Sequence, residues 1–125
     1  MIDHVSIGTR ELSRSTAFYT ACFAPLGYTL QHADATQVIY GAHGRWSFCL
    51  YPSSGEHSLA GDRAHIAVSA PSRQAAEDFY ETAIANGATM LREPGLRPDI
   101  NERYFGTMVK DRDGHVIEVV HWAGA

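Results

Sequence analysis

Two histidines and one glutamate are the residues of this chain whose types and spacing could hold a metal ion. His4 and His65 lie 61 residues apart, and Phe18 and Phe79 are separated by the same interval. A period near half the chain length indicates that one supersecondary unit occurs twice, so the two histidines should occupy equivalent places. With the carboxylate of Glu118, two imidazoles form a ligand set that suits Fe(II), Mn(II) or Zn(II).

The position of Glu118 strengthens this interpretation. It interrupts the run Val116–Val120, which is apolar on both sides of a predicted strand and should therefore be buried. Burying a carboxylate is costly unless it is paired or binds a metal. The alternative is an ion pair with an arginine of the preceding loop, such as Arg97 or Arg103. Both interpretations predict that the charge has a partner.

Each histidine shares its predicted strand face with small residues. Because side chains alternate between the faces of a strand, Ser6 lies on the face of His4 and Ala67 on the face of His65. The large aliphatic residues point the other way, toward the predicted helices. A single histidine in such a strand is more typical of packing, whereas a symmetric pair favours a ligand role.

The elements that must position these residues follow the order βαβββ twice. Thr9 and Ser72 are predicted to cap the two helices, which end near Gly27 and Gly87. A short strand ending at Arg92 is predicted to lead into a loop that opens at Pro94 and reaches Arg103. We therefore predict one α+β domain over residues 1–125, with module one at about 1–54, a linker at about 55–62 and module two at about 63–125.

Composition excludes several functional classes. A net charge of −4 and a pI near 5.9 argue against nucleic acid and anionic membrane surfaces as partners. The alternation of a strand begins at Ile2, so we expect no signal peptide and a cytoplasmic protein with Cys22 and Cys49 as free thiols. The sequence carries no P-loop, no GxGxxG motif and no Ser-His-Asp order.

The chain resembles the vicinal oxygen chelate superfamily, which includes glyoxalase I, fosfomycin- and bleomycin-resistance proteins and extradiol dioxygenases. The resemblance covers essentially the whole chain and is most specific in the closing segment 106–118; segments 2–5 and 18–19 add to it. Segment 92–98 is similar to a bacterial single-domain glyoxalase-like subfamily. The resemblance implies two βαβββ modules paired into an open glyoxalase-like barrel around a divalent metal (Fe, Mn, Zn or Ni), held by His4, His65 and Glu118.

The resemblance also implies a fourth ligand position in the segment 46–51. Glu118 stands four residues after Gly114, and the same count from Gly44 gives Phe48, which cannot bind a metal. Glyoxalase I has a carboxylate at that place, so lactoylglutathione lyase activity is not expected. Three ligands are closer to the fosfomycin-resistance thiol transferases and the extradiol dioxygenases, although the latter usually have two domains. Asn101 stands where related subfamily members place a histidine.

Two functions follow as expectations. The first is a metal-dependent enzyme (a lyase, thiol transferase or dioxygenase) acting on a small substrate that chelates the metal through vicinal oxygens. The second is a bleomycin-resistance-like protein that binds and sequesters a planar ligand between aromatics without catalysis. The candidate substrate-binding residues are Trp46, Phe48, Asn101, Arg103 and Tyr104. We also expect a homodimer, because open sheet edges invite pairing and members of the superfamily often dimerise.

Overall fold

The computed structural model describes residues 1–124, which form two helices and eight strands. The first module contains β1 (Val5–Thr9), α1 (Leu12–Phe23), a short 3₁₀ helix (Ala24–Leu26), β2 (Thr29–Ala33), β3 (Val38–Gly41) and β4 (Phe48–Pro52). The second contains β5 (His65–Ser69), α2 (Arg73–Ala85), β6 (Thr89–Leu96), β7 (Tyr104–Lys110) and β8 (Val116–Trp122).

The two modules have the same topology. Each forms a four-stranded sheet, in the order β1-β4-β3-β2 and β5-β8-β7-β6, and the first strand of each module lies at a sheet edge, parallel to the last. The other neighbours are antiparallel. The sheets do not close into one barrel. The predicted α+β fold with two βαβββ modules is therefore confirmed, in its open form.

One of the two predicted helix caps is confirmed and the other is wrong. The hydroxyl of Ser72 accepts a hydrogen bond from the backbone N–H of Ala75 and caps α2. Thr9 does not cap α1, whose N-cap is Glu11, because Thr9 is the last residue of β1 and its hydroxyl binds Asp113 instead. Strand β6 also continues to Leu96, beyond the predicted loop start, through irregular pairing with β7.

The helices of the two modules pack against each other and against one face of each sheet. Phe23 of α1 and Phe79 of α2 stack with ring centroids 6.4 Å apart, and both side chains are buried. Ile117 and Val119 of β8 close the core from the second sheet and are fully buried. Alternation therefore leaves the opposite face of that sheet, which carries Glu118, for the site. No helix within residues 1–124 is long and apolar enough to span a membrane.

A buried acidic turn of module two holds the beginning of module one. Asp113 accepts hydrogen bonds from the hydroxyl of Thr9 (2.6 Å), the backbone N–H of Arg10 (3.1 Å) and the hydroxyl of Ser15 (3.3 Å). Asp111 accepts one from the hydroxyl of Tyr19 (2.6 Å). These bonds fix the end of β1 relative to the start of β8, so they set how the two modules lie together.

Candidate metal and substrate site

His65 and Glu118 lie side by side on the face of the second sheet that is turned away from the helices. In the parallel register of β5 and β8, Ala67 pairs with Glu118, so His65, two residues earlier, shares its face. The Nε2 atom of His65 lies 3.5 Å from Oε2 of Glu118. With metal–ligand bonds of about 2.1 Å, two ligands at a tetrahedral angle are about 3.4 Å apart. The pair can therefore share one metal ion.

His4 does not join this pair within one chain. Its side chain is 54% exposed, and its Nδ1 lies 2.7 Å from Oδ1 of Asp3. It borders a cavity of about 480 Å³ that His65 also lines, whereas Glu118 lines a separate cavity of about 460 Å³. Among residues 1–124, no three His, Cys, Asp or Glu side chains come close enough to hold a metal. One chain thus assembles two of the three predicted ligands.

Glu118 has two further partners on the same sheet face. Its Oε1 accepts hydrogen bonds from the hydroxyl of Tyr104 (2.7 Å) and from Nη2 of Arg92 (3.0 Å). Nη2 of Arg92 also donates to the Tyr104 hydroxyl. Burial, reinforced by the hydrogen bond to Glu118, raises the pKa of Tyr104 to about 12, so this phenol stays protonated at neutral pH. Oε2 has no hydrogen-bond donor in the described chain.

The arginine that pairs with Glu118 is not one of the two expected from the loop. Arg97 pairs with Asp99 (2.6 Å), and Nε of Arg103 donates to the carbonyl of Ala123 (2.7 Å). The partner, Arg92, comes from β6, because its register neighbour Met108 on β7 is itself paired with Glu118. Sequence alone missed Arg92, since the contact depends on a register across three strands.

The prediction that Phe48 is the counterpart of Glu118 is wrong by one residue. Ser6 pairs with Cys49 in the first sheet, as Ala67 pairs with Glu118 in the second. Phe48 points into the core instead, where its ring lies 5.0 Å from that of Phe23, although it also borders the cavity between β1 and β5. The count failed because the turn after Gly44 is one residue longer than the turn after Gly114.

Residues of β5, β7 and β8, together with Ile100, line the cavity beside Glu118. Tyr104, one of the predicted substrate-binding residues, is among them. Trp122 packs edge-on against Tyr104, with ring centroids 5.6 Å apart. Trp122 was not among the candidates predicted from the sequence, although it lies four residues after Glu118 on the same strand face. The lining consists of Ala67, Val68, Ser69, Ile100, Tyr104, Glu118, Val120 and Trp122.

The remaining predicted contacts lie outside this cavity's wall. Asn101 accepts a hydrogen bond from the backbone N–H of Arg103 (2.8 Å) in the turn before β7. Trp46 belongs to the first module, is 48% exposed and stacks near His32 with centroids 5.3 Å apart. The structure therefore groups neither Trp46 nor Phe48 with Tyr104 within one chain.

Comparison with known proteins places the chain in a family. The family model described as the Glyoxalase/Bleomycin resistance protein/Dioxygenase superfamily matches residues 1–119. A glyoxalase/bleomycin resistance protein from Albidiferax ferrireducens T118 is 26% identical, with a TM-score of 0.83 over 95% of this chain and 97% of that one. No curated protein matches the sequence at a significant level.

Fosfomycin resistance protein FosX from Listeria monocytogenes shares the fold at 18% identity, with a TM-score of 0.72 over 99% of this chain and 94% of that one. A variant of FosX, complexed with Mn(II) and 1S,2S-dihydroxypropylphosphonic acid, has a TM-score of 0.70 at 20% identity over 100% of this chain and 90% of that one. The match to the family model covers nearly the whole chain, and the chain therefore belongs to the glyoxalase/bleomycin resistance protein/dioxygenase superfamily.

Proposed function

We propose that this protein is a metal-dependent enzyme that acts on a small substrate chelating the metal through two vicinal oxygens. The observation that carries the proposal is the pair of His65 and Glu118, whose facing Nε2 and Oε2 atoms are 3.5 Å apart on adjacent strands. One imidazole nitrogen and one carboxylate oxygen suit Mn(II), Fe(II), Zn(II) or Ni(II). The FosX variant complexed with Mn(II) and a dihydroxylated ligand supports a metal of this kind on this fold.

We propose further that His4 of a second copy completes the ligand set in a homodimer. The exposure of His4 and its separation from Glu118 support this arrangement. The apolar side chains of Ile100 and Trp122 are 50% and 41% exposed beside Glu118, so a partner module lying over them would bury them. His4 would then enter from the partner while His65 and Glu118 come from one chain.

The residues around the pair define what the site can do. When bound, the metal would act as a Lewis acid on a substrate oxygen. Arg92 and Tyr104 hold Oε1 of Glu118, which leaves Oε2 to face His65. The hydroxyl of Tyr104 donates its one proton to Oε1 of Glu118, and Val120 and Trp122 give the cavity an apolar side.

A complementation experiment tests the metal site and its division between two copies. Wild-type protein, exchanged into Mn(II) or Zn(II), should retain near-stoichiometric metal after gel filtration, and His4→Ala or Glu118→Ala should each lose it. If the two variants are unfolded and refolded together, mixed dimers contain one intact set of ligands. Half of randomly formed dimers are mixed, so about one quarter of the wild-type sites should return.

Metal binding that is lost in each variant but never returns on mixing would place all three ligands in one chain. Retention of metal by both His4→Ala and Glu118→Ala would refute the ligand assignment. Sedimentation of the wild type should give about twice the chain mass of 13.7 kDa.

One observation favours a second candidate function, a binding protein that sequesters a planar ligand without catalysis. The charge of Glu118 is already paired with Arg92, so the carboxylate has a partner without a metal. Tyr104 and Trp122 supply aromatic surface at the cavity. This function would be supported over the enzyme if the wild type took up no divalent metal and a planar aromatic ligand quenched its tryptophan fluorescence.

A further inference from the structure

Arg92 is a partly buried cation bonded to Oε1 of Glu118, the carboxylate oxygen that does not face His65. It lies on β6, paired with Met108, which is paired in turn with Glu118, so the three side chains share one sheet face. The side chain of Arg92 is 19% exposed, and its Nη2 group donates to both Glu118 and Tyr104. Arg92 does not itself line the cavity beside Glu118, but it is bonded to two residues that do, Glu118 and Tyr104.

The hydrogen bonds of Arg92 are incomplete. A guanidinium has five N–H donors, and within residues 1–124 only the Nη2 group has partners. The Nε–H group is buried without any partner among these residues. A guanidinium whose role was only to neutralise Glu118 could engage the carboxylate with two parallel bonds, one to each oxygen. Here Arg92 binds only Oε1, Oε2 faces Nε2 of His65 at 3.5 Å, and the Nε–H donor of the arginine has no partner among residues 1–124.

Arg92 also changes the net charge of the site. Its positive charge offsets the negative charge of Glu118, and His4 and His65 contribute none when they bind a metal as neutral imidazoles. A divalent ion at His65 and Glu118 would thus keep most of its charge uncompensated by these residues. Beside an apolar wall, where charges interact more strongly than in water, this favours a ligand that brings negative charge of its own.

We propose that Arg92 is a specificity-determining residue, which makes the site select chelating ligands that bind as anions, such as small hydroxycarboxylates or oxocarboxylates. This inference rests on the proposed metal-dependent function and narrows its substrate class. The ligand's carboxylate supplies one of the vicinal oxygens, and Arg92 stabilises its charge. By the same electrostatics, Arg92 weakens the binding of the free metal ion, because both are cations.

The test uses two ligands of nearly equal size, glycolate and glycolamide, in which a neutral amide replaces the carboxylate. Each is titrated into Mn(II)-loaded protein, and displacement of Mn(II)-bound water is followed by proton relaxation. The variants are Arg92→Gln, which removes the charge, and Arg92→Lys, which keeps it. Arg97→Gln is the matched control, because Arg97 lies in the same segment but pairs with Asp99.

In Arg92→Gln, the preference for glycolate over glycolamide should fall on the order of tenfold, as expected for the loss of one charge several ångströms from the ligand. Arg92→Lys should keep most of the preference and Arg97→Gln all of it. Mn(II) should bind Arg92→Gln at least as tightly as the wild type.

Three results would overturn the inference. An unchanged preference in Arg92→Gln would show that Arg92 does not act on the ligand. Loss of Mn(II) binding in Arg92→Gln would make Arg92 a residue that only positions Glu118. Failure of the wild type to bind Mn(II), Zn(II), Fe(II) or Ni(II) would remove the metal-dependent function itself, and this inference with it, so the two failures are distinguishable.

Discussion

Replacing the buried Asp113 by alanine should strongly destabilise the protein. The side chain is 2% exposed, and it accepts hydrogen bonds from Thr9, Arg10 and Ser15 of the other module. Burial alone would raise the pKa of Asp113, but these hydrogen bonds outweigh burial and hold its pKa below the usual value. The folded state therefore prefers the ionised form.

The expected loss is about 3 kcal/mol. A hydrogen bond to a charged buried acceptor contributes about 1.5–3 kcal/mol, and contributions within one network are not additive. The hydroxyls of Thr9 and Ser15 lie 2.5 Å apart and can still bind each other in the variant, whereas the backbone N–H of Arg10 loses its acceptor. For a chain of this length, about 3 kcal/mol corresponds to a fall in Tm of about 12 °C.

Urea unfolding at pH 7 and thermal unfolding measure this loss, with Asp99→Ala as the control. Asp99 also pairs with an arginine, but it is 60% exposed, and its removal should hardly move the midpoint. Because the pKa of Asp113 is lowered in the folded state, its contribution is present above about pH 4 and disappears as the pH falls through the folded pKa. A loss below about 1 kcal/mol at pH 7, or one independent of pH between 2 and 7, would refute the reasoning.

Three further predictions follow from particular contacts. Burial, and then the charge and hydrogen bond of Asp111, raise the pKa of Tyr19. The wild type should therefore lose stability above about pH 10, where this tyrosine ionises only in the unfolded chain. Tyr19→Phe should lower the free energy of unfolding in urea by about 1 kcal/mol at pH 7, and this free energy should fall less between pH 7 and pH 11 than it does in the wild type. Gly106→Ala should displace the phenol of Tyr104, because a Cβ at position 106 would lie 2.7 Å from the carbonyl oxygen of Val119 and against the Tyr104 ring. The aromatic bands in circular dichroism and the Tm should both change. Neither should change in the control Gly95→Ala, where an added Cβ meets nothing within 4 Å. With methylglyoxal and glutathione, protein loaded in turn with Ni(II), Zn(II), Mn(II) and Fe(II) should show little or no isomerase activity, since Cys49 rather than a carboxylate is the counterpart of Glu118; efficient turnover abolished by His65→Ala would contradict this.

Local pattern and repetition were enough to predict the order of elements. The 61-residue period gave two equal modules, and the apolar run around Glu118 correctly indicated a carboxylate that needs a partner. Which arginine supplies that partner depends on the register of β6, β7 and β8, and no local signal in the sequence specifies it.

Contacts between distant segments account for the other differences. Asp111 and Asp113 have the composition of an exposed turn, yet both are buried because their partners lie more than 90 residues earlier in the chain. Because the turn before β4 has one extra residue, Cys49 rather than Phe48 lies at the position equivalent to Glu118. A shift of one residue along a strand moves every side chain to the other face. Repetition predicts where a module lies more reliably than it predicts which atom faces the site.

The surroundings of Cys49, the counterpart of Glu118 in the first module, limit which residues this position can accept. Cys49 is paired with Ile39 and, through it, with His32, which stands where Arg92 stands in the second module. His32 is already paired with Asp34 at 2.7 Å. A glutamate introduced at position 49 would thus be buried without a free basic partner, and the fold would resist it. A fourth carboxylate ligand at position 49 would therefore need a second substitution that supplies its basic partner.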